Sequence, residues 1–226
     1  MQPTQQRTRI KLCGLTRAED VQIAVAAGAD AIGFVFYAGS PRYVAPQAAA
    51  GLLRLVPPFV TTVGLFVNAT PAQVAEVVAQ APISLLQFHG DETLEQCCAI
   101  AEAVNRPFTR ALRVRPDMSG ADLLKCDNEY RTASRLFSGL LLDTWADGYG
   151  GSGKVFDWSL IPEELAPRVV LSGGLSVQNA TDAVIRVRPY AVDISSGIEH
   201  AKGIKDAVKI HAFMDAVRLA DSTDPH

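Results

Sequence analysis

The sequence predicts an α/β fold of the (β/α)8 barrel type, with eight parallel strands closing inside a ring of helices. Three observations predict it. Short apolar runs alternate with helix-like segments along the chain, which implies parallel pairing through right-handed crossovers. The apolar runs number eight. Residues able to do chemistry follow many of these runs, as they do where strand ends converge on the mouth of a barrel. An open doubly wound sheet is the rival; it accounts for the alternation but not for the count and the convergence.

In chain order the strands are predicted at Arg9–Cys13, Ala31–Phe36, Thr61–Val67, Leu85–His89, Phe108–Val114, Gly139–Asp143, Val169–Ser172 and Ala191–Ile194. Helices are predicted at Ala18–Ala27, Pro46–Val56, Pro71–Ala81, Asp91–Val104 and Val177–Val187, with Gly203–Leu219 as the last. The stretch after Asp143 reads as loop, with a short helix near Asp157–Ile161. Thr16, followed three residues later by Glu19, has the form of a capping box. Thr70 before Pro71 places a cap ahead of a first-turn proline. Gly28 is expected to end the first helix in a left-handed conformation. No linker or low-complexity tract divides the chain. Residues 1–226 are therefore expected to form one domain, with 1–8 and 220–226 as polar tails.

Composition narrows the function. Hydrophobic residues make up 48% of the 226, enough to bury a large core. A net charge of −3 argues against a basic nucleic-acid-binding surface. No apolar stretch is long enough to span a membrane, and Met1 to Arg9 lacks the apolar centre of a signal peptide. The protein is therefore expected to be cytoplasmic, without nucleic-acid or membrane partners. Cys13, Cys97, Cys98 and Cys126 have neither zinc-site nor disulfide spacing and are expected as free thiols. No cluster of metal ligands is visible. The oligomeric state is left open, with a monomer favoured.

Three glycine-bearing segments fall late in the chain: Gly150-Gly151-Ser152-Gly153-Lys154, Ser172-Gly173-Gly174-Leu175 and Ser195-Ser196-Gly197. Glycine lets backbone N–H groups approach a phosphate closely, and a helix N-terminus adds positive potential. In many barrels phosphate binds after strands seven and eight, where the second and third segments lie. Glycines making tight turns is the plain alternative. The first segment is no P-loop, for it lacks the spacing and the trailing Ser or Thr.

Other candidates lie at strand ends. Arg9, Lys11 and Cys13 alternate on one face, opposite Ile10 and Leu12. A charged residue on the inward face needs a partner or a place near the mouth. Asp143 ends an apolar strand, where a turn cap is the alternative. His89 ends strand four, where a hydrogen-bonded structural role is the alternative. Arg42 sits in the loop after strand two, and solvation is its default. Asp193 in strand eight is either functional or the partner of a nearby Lys or N–H.

Together these segments carry a specific resemblance. Lys11-Leu12-Cys13-Gly14-Leu15-Thr16, Gly28 to Tyr37, Ser40-Pro41-Arg42-Tyr43, Val63 to Asn68, Leu86 to Asp91, Leu142-Asp143-Thr144, Gly150 to Trp158, Leu171 to Leu175 and Val192 to Glu199 resemble, in order, the motifs of phosphoribosylanthranilate isomerases. The resemblance implies an Amadori rearrangement in tryptophan biosynthesis, in which N-(5-phosphoribosyl)anthranilate becomes 1-(2-carboxyphenylamino)-1-deoxyribulose 5-phosphate. It assigns Cys13 as general base and Asp143 as general acid. Arg42 becomes the contact for the anthranilate carboxylate, and Gly173, Gly174, Ser195 and Ser196 the phosphate loops. His89, Asp193 and Gly197 are expected to complete the substrate-binding wall. No metal or organic cofactor is implied.

The segment from Pro107 to Arg135 departs most from the family pattern, with Arg110 where the family often has Lys. Among related barrels, indole-glycerol-phosphate synthase would need a long extension before the first strand. The histidine-pathway isomerase would need Asp where Cys13 stands. A non-catalytic phosphate-binding barrel would have no reason to keep both an acid and a base. One chemical difficulty is visible already. A thiolate base and a protonated carboxyl reverse the ordinary ionisation order of Cys and Asp, by about 6 kcal/mol. Lys11, on the same face as Cys13, is the candidate cation for the thiolate.

Overall fold

The structure, a computed structural model, describes residues 7–145 and 155–223. Eight strands close a barrel: β1 (Arg9–Cys13), β2 (Ala31–Val35), β3 (Thr61–Phe66), β4 (Leu85–Phe88), β5 (Phe108–Val114), β6 (Phe137–Thr144), β7 (Val170–Leu171) and β8 (Ala191–Ile194). Every neighbouring pair is parallel, and β8 pairs with β1 to close the ring. Around it run α1 (Ala18–Ala26), α2 (Pro46–Leu53), α3 (Pro71–Gln80), α4 (Leu94–Val104), α5 (Gly120–Ala133), α6 (Ala180–Val187) and α7 (Ala207–Ser222). None of the described helices is long and apolar enough to cross a membrane.

The strand period of two sorts the side chains. Ile10, Leu12, Phe34, Leu86, Phe88, Leu140, Leu142, Val192 and Ile194 are buried in the core. Alternate positions face the barrel interior, and several there are polar. Register decides which of these meet: Lys11 lies opposite Asp193, so the interior cation and anion are neighbours across β1 and β8.

Several boundaries move from the sequence expectation, each for a physical reason. Thr16 does not cap α1; its hydroxyl donates to the Gly203 carbonyl at 2.7 Å, and Arg17 takes the cap position without a side-chain capping bond. Thr70 does cap α3, in a full capping box with Gln73. Gly28 follows α1 with φ +87°, as expected. Helix α4 starts at Leu94 because Thr93 and Gln96 form a capping box. Helix α6 starts at Ala180, since the Asn179 side chain holds a turn from Ser176 and Gly174. Helix α5, given no bounds in the sequence reading, opens on a Ser119–Asp122 capping box. The short helix after Asp157 is present as a 3-10 turn, Trp158–Leu160.

The final helix begins at Ala207, where Asp206 accepts from the N–H groups of Val208 and Lys209. The preceding residues form a hairpin instead, β9 (Glu199–Ala201) with β10 (Ile204–Lys205), turning on Gly203 at φ +78°. Neither expected tail behaves fully as one. Asp221 accepts from the Thr8 N–H at 2.9 Å and its hydroxyl at 2.7 Å, and Arg7 pairs with Asp30.

Candidate active site

The strand ends open on a cavity at the C-terminal mouth of the barrel. Its wall includes Cys13, Arg42, His89, Asp143, Gly173, Gly174, Asp193, Ser195 and Ser196. Residues spread over most of the sequence therefore converge on one space. Gly197 does not line that wall; a Cβ there would lie 2.2 Å from the Leu175 carbonyl oxygen, so glycine at this position permits close packing. The segment Gly150 to Lys154 lies outside the described residues.

Cys13 ends β1, two residues beyond Lys11 and on the same face. The Lys11 ammonium donates to Asp193 Oδ1 at 2.7 Å and its charge favours a thiolate at Cys13. All three are buried. Burial pushes the Cys13 thiol above its ordinary value, and Asp193 adds to that; Lys11 and the more distant Lys205 pull the other way. Burial alone would pull Lys11 down, but Asp193 and Cys13 carry it above the usual lysine value. Gly33 makes room for this cluster on the neighbouring strand. A Cβ at Gly33 would lie 2.7 Å from the Cys13 sulfur and 3.2 Å from Lys11 Cε.

Asp143 is the last residue but one of β6, across the mouth from Cys13. Its Oδ1 accepts from the Thr144 N–H at 2.8 Å, and its Oδ2 lies 2.8 Å from His89 Nε2. The other ring nitrogen of His89 lies 2.9 Å from Gln87 Nε2. With the Gln87 amide donating to Nδ1, the neutral ring carries its proton on Nε2 and donates it to Asp143. Gln87 is the residue that the sequence reading missed here. Its signal was a polar side chain two residues from His89, on the inward face of an otherwise apolar strand.

Arg42 is not the solvated loop residue of the default reading. Its Nε and Nη2 donate to the two carboxylate oxygens of Glu199, at 2.6 and 2.8 Å. Glu199 in turn accepts from Lys205, whose side chain is fully buried, at 3.1 Å. Neither Glu199 nor Lys205 was singled out as a site residue. Burial raises the Glu199 carboxyl, but Arg42 and Lys205 outweigh it and hold the group below its usual value. Asp193 takes the role given as its alternative, partner to a neighbouring lysine.

Gly173 and Gly174 follow β7 with φ of +80° and +67°, a left-handed pair that only glycine adopts without strain. A Cβ on Gly173 would lie 2.4 Å from the Thr144 nitrogen and 2.6 Å from Asp143 Oδ1. Helix α6 begins only at Ala180, and a 3-10 turn, Ser196–Ile198, follows Ser195. Arg110, where the family pattern departs, is not in the cavity wall. It donates to the carbonyls of Phe88 and Gly90 and to Glu92, bracing the turn that follows His89.

This mouth defines a class: a barrel enzyme suited to proton transfer on a small anionic ligand, with its acid–base groups on opposite sides. A family model for N-(5'-phosphoribosyl)anthranilate isomerase matches residues 10–216. The N-(5'-phosphoribosyl)anthranilate isomerase of Herminiimonas arsenicoxydans is 73% identical over 216 residues, covering 96% of this chain and 95% of that protein. The crystal structure of the Thermotoga maritima enzyme matches with a TM-score of 0.81 and 41% identity, over 93% of this chain and 98% of that one. A crystal structure of a phosphoribosyl anthranilate isomerase in complex with reduced 1-(o-carboxyphenylamino)-1-deoxyribulose 5-phosphate matches with a TM-score of 0.78 and 38% identity, over the same shares of each chain. The chain belongs to the N-(5'-phosphoribosyl)anthranilate isomerase family.

Proposed function

We propose that this chain isomerises N-(5-phosphoribosyl)anthranilate to 1-(2-carboxyphenylamino)-1-deoxyribulose 5-phosphate. The reading rests above all on one observation: Cys13 and Asp143 face one cavity from β1 and β6. In this reading Asp143 protonates the ribose ring oxygen as the ring opens to a Schiff base. Cys13, as thiolate, removes the C2′ proton, and the resulting enolamine tautomerises to the ketone. No electrons leave or enter, and the proton taken at C2′ is balanced by the one given to the ring oxygen. Gly173, Gly174, Ser195 and Ser196 present backbone N–H groups and hydroxyls to the phosphate, with Gly197 shaping the second turn. Arg42 takes the anthranilate carboxylate through a planar pair of hydrogen bonds. His89 orients Asp143, and Asp193 holds Lys11 beside the thiol.

Loss of the fluorescence of freshly made phosphoribosylanthranilate on adding the protein tests this directly. Unchanged fluorescence at high protein concentration would overturn the assignment. The same assay design with the histidine-pathway substrate determines whether a second aminoaldose is accepted.

A further inference from the structure

We propose that Glu199 is a positioning residue for carboxylate recognition, locking the plane of Arg42, with Lys205 as its buried anchor. The inference rests on the functional reading above in taking Arg42 as the carboxylate contact. It concerns residues to which that reading gives no role.

A guanidinium offers two forked edges, Nε/Nη2 and Nη1/Nη2, and each can grip one carboxylate with two parallel bonds. Glu199 occupies the first, at 2.6 and 2.8 Å. Among the described residues no protein group accepts from Nη1, and Arg42 lines the cavity. The second edge is therefore the one presented to a ligand. The rest of Arg42 is fixed as well. Its backbone N–H donates to Ser40 Oγ at 3.1 Å, and a Cβ on Gly14 would lie 2.5 Å from Arg42 Cδ, so the stem lies flat on that glycine.

Glu199 is itself immobilised. Its Oε1 also accepts from Lys205 Nζ at 3.1 Å and from the Gly203 N–H at 3.3 Å, and its carbonyl accepts from Lys209 at 2.7 Å. Lys205 ties this unit to the strand-eight turn through the Ser195 carbonyl at 3.0 Å. A carboxylate standing in for substrate would need freedom to leave when substrate arrives. One cross-tied to a buried lysine and a backbone N–H does not have that freedom. Its effect is on direction: a bidentate contact demands a fixed guanidinium plane, whereas a point charge would not.

The test compares two ligands by titration calorimetry: reduced 1-(o-carboxyphenylamino)-1-deoxyribulose 5-phosphate, and the same compound with a plain phenyl ring. The wild type should prefer the carboxylated compound. Glu199→Gln should lose on the order of tenfold of that preference, while its affinity for the phenyl compound stays within about twofold. An unchanged preference would overturn the proposal. So would an increased one, which would make Glu199 a competitor of the ligand carboxylate. Equal weakening of both compounds would reduce Glu199 to a structural role, and so also overturn it. Should Glu199→Gln not fold, Glu199→Asp keeps the charge but shortens the reach, and the same ratio is read. A wild type that binds neither compound fails the functional reading itself, before any variant is made.

Discussion

Replacing Lys11 by Met tests the buried charge cluster most severely. Methionine keeps the length and apolar character of the stem, so packing changes little, but the ammonium is gone. Asp193 is then left in the barrel interior at 5% exposure, with the Ser172 hydroxyl at 3.4 Å as its side-chain donor among the described residues. Removing one partner of a buried pair costs about 3–5 kcal/mol. For a chain of this size each kcal/mol moves the midpoint by about 2–4 °C, so Tm should fall by roughly 6–20 °C. Calorimetric melting at neutral pH measures it. The double variant Lys11→Met/Asp193→Asn should recover much of the loss, because no uncompensated charge is then buried. A Tm within about 2 °C of the parent would refute the reasoning, given the cost of a broken buried pair. So would a double variant no more stable than the single one. The sign with pH is also fixed. The Lys11 value is raised by folding, so its stabilisation is complete below the ordinary lysine value of 10.5 and is lost only as pH rises through the raised one.

Cys13→Ser and Asp143→Asn should each lower turnover by about 10²–10⁴-fold, the usual range for one acid–base group, while still binding a product analogue; near-normal turnover in either removes that residue from the role. Gly33→Ala should lower turnover with little loss of binding, because its methyl displaces the thiol and the Lys11 stem; steady-state kinetics separate the two. Burial holds Cys97 and Cys126 at about 11, against 9.0 for the free thiol. Between those values the unfolded chain has released protons that the folded chain keeps, so stability should fall as pH rises from 9 towards 11. Urea unfolding across that range checks it, and Cys97→Ala should flatten the slope.

The barrel was legible because its two periods are local properties. Strand alternation placed Lys11 and Cys13 on one face, and the strand count distinguished a closed sheet from an open one. Cys13, Asp143, His89 and Arg42 could be picked out because each stands at a strand end or in the loop beyond it. What was hidden is the partnering. Arg42 and Glu199 are 157 residues apart, and Gln87 meets Asp143 only through His89. No local pattern encodes such pairs; barrel closure and register do. The hairpin from Glu199 to Lys205 was missed for a related reason. Its sequence reads onward into α7, and only the Gly203 turn and the Asp206 cap divide the two. Thr16 misled because a hydroxyl three residues from a glutamate resembles a cap, although a nearer tertiary acceptor, the Gly203 carbonyl, competes for it.

The ionisation difficulty now has a structural form. Charges around the two proposed proton carriers differ, as the chemistry requires. Cys13 has the Lys11 ammonium within reach and Lys205 beyond it, but burial and Asp193 leave the resting group a thiol. The thiolate is thus drawn from a minor population, and the cations limit how rare it is. In the proposed assignment, a phosphate near Ser195 would add negative charge on the same side and make these cations more necessary. Across the mouth, Asp143 faces an imidazole rather than a cation of fixed charge. Turning the buried Gln87 amide over would let Nδ1–H donate to its oxygen, and Nε2 would then accept a proton held on Asp143. The same heavy-atom contacts, 2.9 Å at Nδ1 and 2.8 Å at Nε2, serve both arrangements. A neutral amide can alternate in this way, whereas a fixed donor or a fixed acceptor at position 87 would commit Asp143 to one state. The proposed base is thus assisted by permanent charge, and the proposed acid by a partner able to reverse its hydrogen bonds.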